Sequence, residues 1–283
     1  MHPLPLTVLI LTYNEEKHIR RCLDNVRTLA SRIIVVDSQS TDGTLDICRE
    51  LGVEVVQHPW PGHQAAQFNW ALDNLTITTD WILRLDADEY LLPELIDEIR
   101  TRLPQLPADV NGVILKRRHI FMGRWMRHGV YPICLLRLFR TGFGRYDGRI
   151  MDEHISLTEG RTVQFEHDFC DHSLINLSDY CHKHVNYAVR EAAMALDADY
   201  DEKLSIKRRY YRLPLFWRSF AYFLYRYILR GGFLDGKEGF LFTFIQGWWY
   251  RTLVDAKIFE IRRATGGNRD QIRRLLADQY HIS

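Results

Sequence analysis

The chain has 283 residues, of which 46% are hydrophobic and 26% charged, a composition typical of a folded globular protein and not of a disordered one. The formal net charge of +1 argues against a protein that wraps nucleic acid, because that activity needs a concentrated basic surface. The five cysteines are odd in number and form no Cys-x-x-Cys pair, so neither a disulfide framework nor a zinc site is indicated.

The first ninety residues alternate between short apolar runs and helical patterns. Leu6–Leu11 is typical of a strand buried on both faces, and a polar turn beginning at Thr12 follows it. Residues 18–29 have helical spacing, and residues 32–36 form a second buried run that ends at Asp37. This order predicts a βαβ unit with parallel strands and a right-handed crossover.

Asp37 follows the second strand, one βα unit after the Thr12 turn. In dinucleotide-binding folds an acid in this place bonds a ribose, but the first turn here lacks the Gly-x-Gly-x-x-Gly pattern. Asp37 and Ser38 therefore have two possible roles. They either bind a nucleotide without a glycine-rich phosphate-binding turn, or cap the helix predicted over residues 44–51. The two roles are compatible.

A third strand is predicted at residues 53–56, followed by a loop around Trp60 and a helix over residues 64–74. The next apolar run, residues 81–85, ends in Asp86-Ala87-Asp88-Glu89. Asp-x-Asp alone is also common in solvated turns and at helix N-termini. Here, however, it joins two other polar turns at the edge where open α/β sheets bind ligands.

These turns resemble those of the inverting family 2 glycosyltransferases, which have the GT-A fold. The resemblance extends over residues 1–180 and rests on three segments: Leu11–Glu16, Val35–Thr44 and Leu85–Glu89. Within that family the chain is similar to the bacterial branch that adds hexoses to the lipopolysaccharide core. The narrower likeness rests on Gly123-Arg124-Trp125, Arg137-Leu138-Phe139-Arg140, Asp152-Glu153-His154 and Asp171-His172-Ser173.

The resemblance implies an α/β fold: a Rossmann-like, mixed, mostly parallel sheet with helices on both faces. This glycosyltransferase domain is expected over residues 1–200, with a helical, membrane-associating region over residues 201–283. The resemblance also implies a nucleotide site, formed by Thr12, Tyr13, Asn14, Glu15, Asp37, Ser38, Gln64, Asp86 and Ala87. It implies a divalent metal, Mg²⁺ or Mn²⁺, held on the donor diphosphate by Asp88 with help from Asp86 and His172.

The expected chemistry agrees with these roles. A departing nucleoside diphosphate gains negative charge, which a divalent metal stabilises without a proton donor. Inversion by a single displacement also needs a base opposite the leaving group. The resemblance assigns that base to Glu153 or Asp152, of which Glu153 matches the family position better. Arg137 either reaches the diphosphate or is an ordinary residue at a strand edge.

After Asp201 the sequence becomes rich in arginine and aromatic residues, in runs over residues 207–230 and 240–254. This pattern is typical of helices that lie in the headgroup region, with rings in the acyl boundary and guanidinium groups on anionic lipid. A helical hairpin packed on the sheet and a dimer interface are the alternatives. Because Leu6–Leu11 is too short for a signal peptide, we expect a cytoplasmic protein, peripheral on the inner face of the plasma membrane.

The sequence therefore predicts an enzyme that moves a hexose, expected to be glucose from UDP-glucose, to a lipid-linked saccharide such as lipopolysaccharide core. One rival is a transferase of the same fold that uses a polyprenyl phosphate acceptor. The other is a non-catalytic, membrane-bound sensor of nucleotide sugars.

Overall fold

The computed structural model describes residues 2–147, 154–198 and 210–280. The chain forms two compact units: the first comprises Met1–Trp125 and Tyr131–Leu174, and the second Met126–Val130 and Ile175–Ser283. The helix Leu177–Ala198 therefore belongs to the second unit, with the C-terminal helices. The domain predicted from the sequence, residues 1–200, instead includes this helix together with the sheet.

Within the described residues, the first unit is built on a nine-stranded sheet. Its strands are β1 (Leu4–Thr12), β2 (Ala30–Asp37), β3 (Glu54–Gln57), β4 (Trp81–Asp86), β5 (Glu89–Leu91), β6 (Val110–Phe121), β7 (Arg124–Trp125), β8 (Ile133–Arg140) and β11 (Arg161–His172). Across the sheet they run β3-β2-β1-β4-β8-β6-β11-β5, with β7 paired to β6, while β9 (Gly144–Tyr146) and β10 (Ile155–Leu157) form a hairpin. The helices are α1 (Ile19–Val26), α2 (Thr44–Glu50), α3 (Gln64–Asn74) and α4 (Pro93–Arg102), followed by a 3₁₀ turn at Leu103–Gln105.

The sheet is mixed, as predicted. β1 lies between β2 and β4 and is parallel to both, and β2 is parallel to β3. β8 is antiparallel to β4 and β6, β6 is parallel to β11, and β5 closes the far side antiparallel to β11. The parallel β3-β2-β1-β4 half is the part that the βα alternation predicts.

Helices cover both faces of the sheet, again as predicted. Alternate residues of β1 point to opposite faces, so Ile10 packs in one apolar cluster and Leu9 in the other. The first cluster contains the α1 stripe Ile19, Cys22, Leu23 and Val26, and the second contains Ala65, Phe68 and Ala71 of α3. Both faces of β1 are thus buried, which explains its continuous apolar sequence.

The second unit is helical. It contains α5 (Leu177–Ala198), α6 (Trp217–Leu224), α7 (Gly236–Thr243), α8 (Tyr250–Thr265) and α9 (Arg269–Tyr280). A π-helical turn, Tyr225–Leu229, extends α6, a 3₁₀ turn spans Gly232–Asp235, and a second π-helical turn, Phe244–Trp249, joins α7 to α8. Its apolar core is formed by small residues of α5 against branched residues of α8, such as Ala192 and Ile258. Within the described ranges, no helix is both long and apolar enough to cross a bilayer.

Candidate functional site

The C-terminal ends of three neighbouring strands meet at one edge of the sheet. In the strand register Thr12 lies opposite Asp37, and Leu11 lies opposite Asp86. The turns that follow β1, β2 and β4 are therefore adjacent, and the predicted convergence of the three polar segments is confirmed. This edge is where open α/β sheets bind their ligands.

Asp37 is fully buried, and its carboxylate is already saturated with hydrogen bonds. It accepts from Thr12 Oγ1 at 3.1 Å, Ser40 N at 2.9 Å, Ser40 Oγ at 2.5 Å and Gln57 Nε2 at 3.3 Å. A carboxylate has about four lone-pair positions, so all of them are in use. Asp37 therefore fixes the two turns to each other, and a nucleoside would bond it only by displacing one of these donors.

The β1 turn is joined to the β2 turn by further bonds. Asn14 has the left-handed backbone conformation that asparagine tolerates, with φ of 55°. Its amide N–H donates to Ser40 Oγ at 2.8 Å, and its side-chain oxygen accepts from Thr41 N at 2.8 Å. Glu15 N donates to Thr44 Oγ1 at 2.8 Å. Tyr13, by contrast, is 59% exposed, so its ring is available to stack on a base.

Ser38 belongs to a polar network that the sequence did not reveal. Its hydroxyl accepts from Nε2 of Gln67 at 3.1 Å, and Gln67 is fully buried on α3. Oε1 of Gln67 lies 2.7 Å from Nδ1 of His58, whose ring stacks on Trp70 with centroids 3.8 Å apart. The only local signal was a glutamine on the apolar face of a predicted helix.

Asp86 is held by an arginine two residues before it. The Arg84 guanidinium donates to both carboxylate oxygens of Asp86, at 2.8 and 2.6 Å, and is itself buried. It also donates to Oε1 of Gln64 at 3.2 Å. Although burial alone would lower it, the carboxylates of Asp86 and Glu89 raise the pKa of Arg84. Gln64 and Asp86 are thus brought together through one fixed cation, and Ala87 is buried beside them.

Glu89 lies beneath this pair and is not exposed to a ligand. It is 1% exposed, accepts from the Asp86 amide at 2.9 Å, and pairs with Nη2 of Arg137 at 2.6 Å. Burial, and then the charge of Asp86, raise the pKa of Glu89 well above its ordinary value. Arg137 is buried as well and lies 3.7 Å from Asp86. It is an internal counter-ion rather than a strand-edge residue.

The structure brings Asp88 and His172 together. The His172 amide donates to the Asp88 carbonyl at 3.1 Å, because β11 ends where β5 begins. Arg21 bridges the two, donating to the Asp88 carbonyl at 3.0 Å and to the His172 carbonyl at 2.6 Å. Burial, and then the charge of Arg21, lower the pKa of His172, which favours the neutral form of its ring.

The predicted metal ligands are Asp86, Asp88 and His172, and the contacts of their side chains bear on whether they can bind a cation. Within residues 2–147, 154–198 and 210–280, no three His, Cys, Asp or Glu side chains form a metal-binding group. Asp86 faces Arg84, and Nδ1 of His172 lies 3.2 Å from Arg21, which can only donate. Protein-bound Mg²⁺ often needs only one or two carboxylates together with substrate phosphates. One carboxylate of this turn together with substrate phosphates would be enough for such a cation, and the metal-binding roles of Asp88, Asp86 and His172 stay predictions.

The predicted bases, Asp152 and Glu153, lie outside the described residues. The chain on either side is fixed: Asp147 N donates to the His154 carbonyl at 3.1 Å. Asn69 of α3 exchanges two hydrogen bonds with the Tyr146 backbone, each of 3.1 Å. The assignment of a base to Glu153 or Asp152 remains a prediction.

A second polar cluster, also missed from the sequence, lies between β6 and β11. Asp168 is buried and pairs with Nε of Arg118 at 2.6 Å, while the Tyr131 hydroxyl donates to it at 3.0 Å. Burial raises the pKa of Tyr131 to about 12. The Arg118 guanidinium lies 4.0 Å from the centroid of the Trp125 ring. The cluster joins residues 50 positions apart, which no local pattern indicates.

Several curated proteins are similar to this chain. A lipopolysaccharide core biosynthesis glycosyltransferase, LpsC of Rhizobium meliloti, is 27% identical over 274 residues, covering 91% of this chain and 93% of that protein. An uncharacterized glycosyltransferase of Rickettsia felis is 43% identical over 94 residues, and another from Rickettsia bellii is 44% identical over 94 residues. Those two matches cover 33% of this chain and only about a third of either relative.

Solved structures show a more distant likeness. The crystal structure of Staphylococcus aureus TarS 1–349 covers 92% of this chain and 91% of its own, at 13% identity and a TM-score of 0.44. Glucosyl-3-phosphoglycerate synthase from Mycobacterium tuberculosis, solved with Mn²⁺, UDP-glucose and phosphoglyceric acid, covers 40% of this chain and 43% of its own, at 21% identity and a TM-score of 0.34.

The family model carries the assignment. The model described as glycosyl transferase family 2 matches residues 7–171, more than half of the chain. The matched segment contains every turn at the sheet edge described above, from Thr12 to Asp171. The predicted family and mixed α/β fold are therefore confirmed, and this chain belongs to glycosyl transferase family 2.

Proposed function

We propose that the protein is an inverting transferase that moves a hexose from a UDP-hexose, with UDP-glucose as the first candidate, to a lipid-linked saccharide of the lipopolysaccharide-core type. The observation that carries the proposal is the convergence of Thr12, Asp37 and Asp86 at one sheet edge. The near full-length similarity to a lipopolysaccharide core glycosyltransferase supports the acceptor class.

The donor nucleoside would bind over the first two turns. The exposed Tyr13 ring offers an apolar face to the uracil, while Asp37 holds the turns in place through its four hydrogen bonds. Arg84 fixes the carboxylate of Asp86 in one orientation through its two hydrogen bonds, and the donor ribose and diphosphate would bind beside that carboxylate. Asp88, with His172 beside it, would hold Mg²⁺ or Mn²⁺, which when bound neutralises charge on the leaving diphosphate.

The transfer itself would be one in-line displacement. The acceptor hydroxyl oxygen forms a bond to the anomeric carbon as the bond from that carbon to the phosphate oxygen breaks, and the electron pair leaves with the diphosphate. The carboxylate of Glu153, or of Asp152, takes the hydroxyl proton. Attack from the face opposite the leaving group inverts the anomeric configuration.

A donor and acceptor screen tests this proposal. Purified protein with Mn²⁺ is given a panel of nucleotide sugars and either lipopolysaccharide core or polyprenyl phosphate, and the products are identified by mass spectrometry. A UDP-hexose that extends the core is the expected result. A polyprenyl-linked sugar would identify the rival acceptor, and the absence of transfer from every donor would contradict enzymatic activity.

Paired variants test the base. Glu153→Gln and Asp152→Asn both keep the size of the side chain, so donor binding should stay unchanged. We expect Glu153→Gln to abolish transfer and Asp152→Asn to reduce it less. A Glu153→Gln protein that binds donor and retains full function in cells would favour the non-catalytic sensor.

We further propose that the enzyme works at the inner face of the plasma membrane, attached through its C-terminal helices. A lipid-linked acceptor lies in that plane, so a peripheral enzyme meets it by diffusion in two dimensions. Cell fractionation that leaves the protein entirely in the supernatant at low salt would contradict this placement.

A further inference from the structure

The helix that covers residues 217–229 has its apolar face outward. Trp217 is 72% exposed, Tyr225 44% and Ile228 55%, and Ala221 between them is also exposed. These residues are spaced by four, four and three positions, so they form one stripe along the helix. Leu229, at the end of the stripe, is 77% exposed.

The opposite face of the same helix is buried and, apart from Phe223, its buried side chains are polar. Arg218 is 2% exposed, and its Nε donates to Oδ1 of Asp255 at 2.7 Å. Ser219 is fully buried and donates to the Phe216 carbonyl at 2.7 Å. Arg226 is 5% exposed. A helix on a water-exposed surface has the reverse arrangement, with its apolar stripe toward the core.

The outward stripe continues into the turn after the helix. Leu229, Phe233 and Leu234 are each at least half exposed. The turn is fixed rather than loose, since the Gly129 amide donates to the Arg230 carbonyl at 3.0 Å and Asp235 accepts from the His128 amide at 2.8 Å. The apolar side chains are therefore held outward on a rigid base.

Exposed apolar residues are concentrated in this region. Ten of the sixteen large hydrophobic residues exposed in the described chain lie between residues 210 and 280. A contiguous exposed apolar surface of this kind marks a binding site for a protein or a membrane.

The formal charge of residues 210–280 favours an anionic membrane over a second copy of the protein as the partner. Residues 210–280 carry twelve arginines and lysines against six aspartates and glutamates, a formal charge of +6, so the rest of the chain carries −5. Arg212 precedes the stripe, Arg230 and Lys237 follow it, and all three are exposed. An apolar stripe bounded by cations matches the boundary between acyl chains and anionic headgroups. A second copy of the same surface would instead bring like charges together.

We propose that the outward face of residues 217–234 inserts into the headgroup and acyl boundary of an anionic bilayer, with the helix lying in the membrane plane. The proposal deepens the membrane attachment in the proposed function and rests on it for the choice of surface. It differs from the sequence-based expectation in one respect: the helix's own Arg218 and Arg226 face the protein, and flanking cations meet the lipid.

Vesicle binding tests the proposal. Full-length protein is sedimented with vesicles of phosphatidylcholine, with or without phosphatidylglycerol, and compared with the double variant Ile228→Ser/Leu229→Ser. Both residues are exposed, so the variant should fold normally. The matched control is Leu177→Ser/Val185→Ser, which removes two exposed aliphatic side chains from α5.

We expect wild-type protein to bind the phosphatidylglycerol vesicles, and the Ile228/Leu229 variant to lose about tenfold or more in lipid partitioning, from the loss of two buried aliphatic side chains. The α5 control should stay within about twofold, because the stripe is intact. Equal binding by both variants, or none by wild type, would overturn the proposal. A dimer that dissociates in the Ile228/Leu229 variant, without vesicle binding, would do the same and identify a second copy as the partner.

Two further readouts separate this proposal from the proposed enzyme. Lipids brominated on their acyl chains should quench the emission of Trp217, and Trp217→Phe should lose that quenched component while Trp248→Phe keeps it. Quenching that is unchanged in Trp217→Phe contradicts insertion of the stripe.

Transfer to an acceptor saccharide freed of lipid needs no membrane. Failure of that transfer while vesicle binding is intact would contradict the proposed enzymatic activity and leave the membrane proposal standing.

Discussion

The carboxylates at the sheet edge differ in how firmly the protein already holds them. Asp37 is buried and accepts four hydrogen bonds, and Asp86 is paired with Arg84 at two oxygens. Glu89 is buried and paired with Arg137. Asp86 and Asp88 are both half-buried at the turn. The held acids Asp37, Asp86 and Glu89 are assigned to positioning, and the position of Asp88 in the Asp-x-Asp turn makes it the proposed metal ligand.

Replacing Asp88 with Asn should therefore reduce transfer strongly without unfolding the protein. Loss of several kcal/mol of charge stabilisation corresponds to at least about a hundredfold in rate. The measurements are the transfer rate and the Mn²⁺-dependent part of UDP binding by calorimetry. Asp97→Asn, an exposed carboxylate on α4, is the control and should behave as wild type. Unchanged Mn²⁺ dependence in Asp88→Asn would show that another residue holds the cation.

Replacing Arg84 with Met should destabilise the fold. Among the described residues, the change leaves Asp86 and buried Glu89 with Arg137 as the one remaining cation of the two that contact both carboxylates. Breaking a buried ion pair by removing one partner costs about 3–5 kcal/mol. Denaturant unfolding followed by circular dichroism measures the loss. Arg49→Met removes an exposed ion pair with Asp46 and should have no measurable effect. Equal stability of the two variants would contradict the role assigned to Arg84.

At the scale of elements, local sequence predicts one half of the sheet better than the other. Residues 64–74 were predicted as a helix and form α3 with those bounds, because the apolar spacing is local. The β3-β2-β1-β4 strands follow from buried runs separated by helices. The pairing of β6 with β11 could not be predicted in this way, since contacts such as Arg118 with Asp168 join distant positions.

The role of Gln67 also could not be predicted from local sequence. Its hydrogen-bond partners, Ser38 and His58, lie after β2 and β3, outside the helix that carries Gln67. Gln67→Leu keeps the volume but removes the bonds to Ser38 and His58, and an unsatisfied buried group costs about 1–3 kcal/mol. We expect lower unfolding free energy and a raised KM for the donor, as the Ser38 turn loosens. Unfolding curves and donor titrations test both. Gln105→Leu, at an exposed position, is the control; an unaltered donor KM in Gln67→Leu would separate this network from the site.

At the scale of the whole molecule, the two ends of the sequence have different surfaces. The sequence correctly indicated a helical region rich in arginine and aromatic residues. It did not indicate which face each residue takes, because Arg218 is drawn inward by Asp255 on another helix, 37 positions away. Helical periodicity defines the stripe containing Trp217, but whether that stripe faces the core or the outside depends on the packing of the unit.

Added salt should therefore reduce the rate of transfer to a membrane-bound acceptor more than the rate of transfer to a lipid-free acceptor. Raising ionic strength from 0.1 to 1 M shortens the Debye length from about 10 to about 3 Å, which screens the +6 charge of residues 210–280 from anionic lipid. Each exposed cation near the surface contributes about 1 kcal/mol, so transfer to acceptor in phosphatidylglycerol vesicles should fall by about tenfold or more. Transfer to the same saccharide without lipid should change by less than about threefold, because Arg84 and Asp86 are enclosed and weakly screened. Equal salt dependence with both acceptors would locate the sensitive charges at the donor site and not on the C-terminal helices.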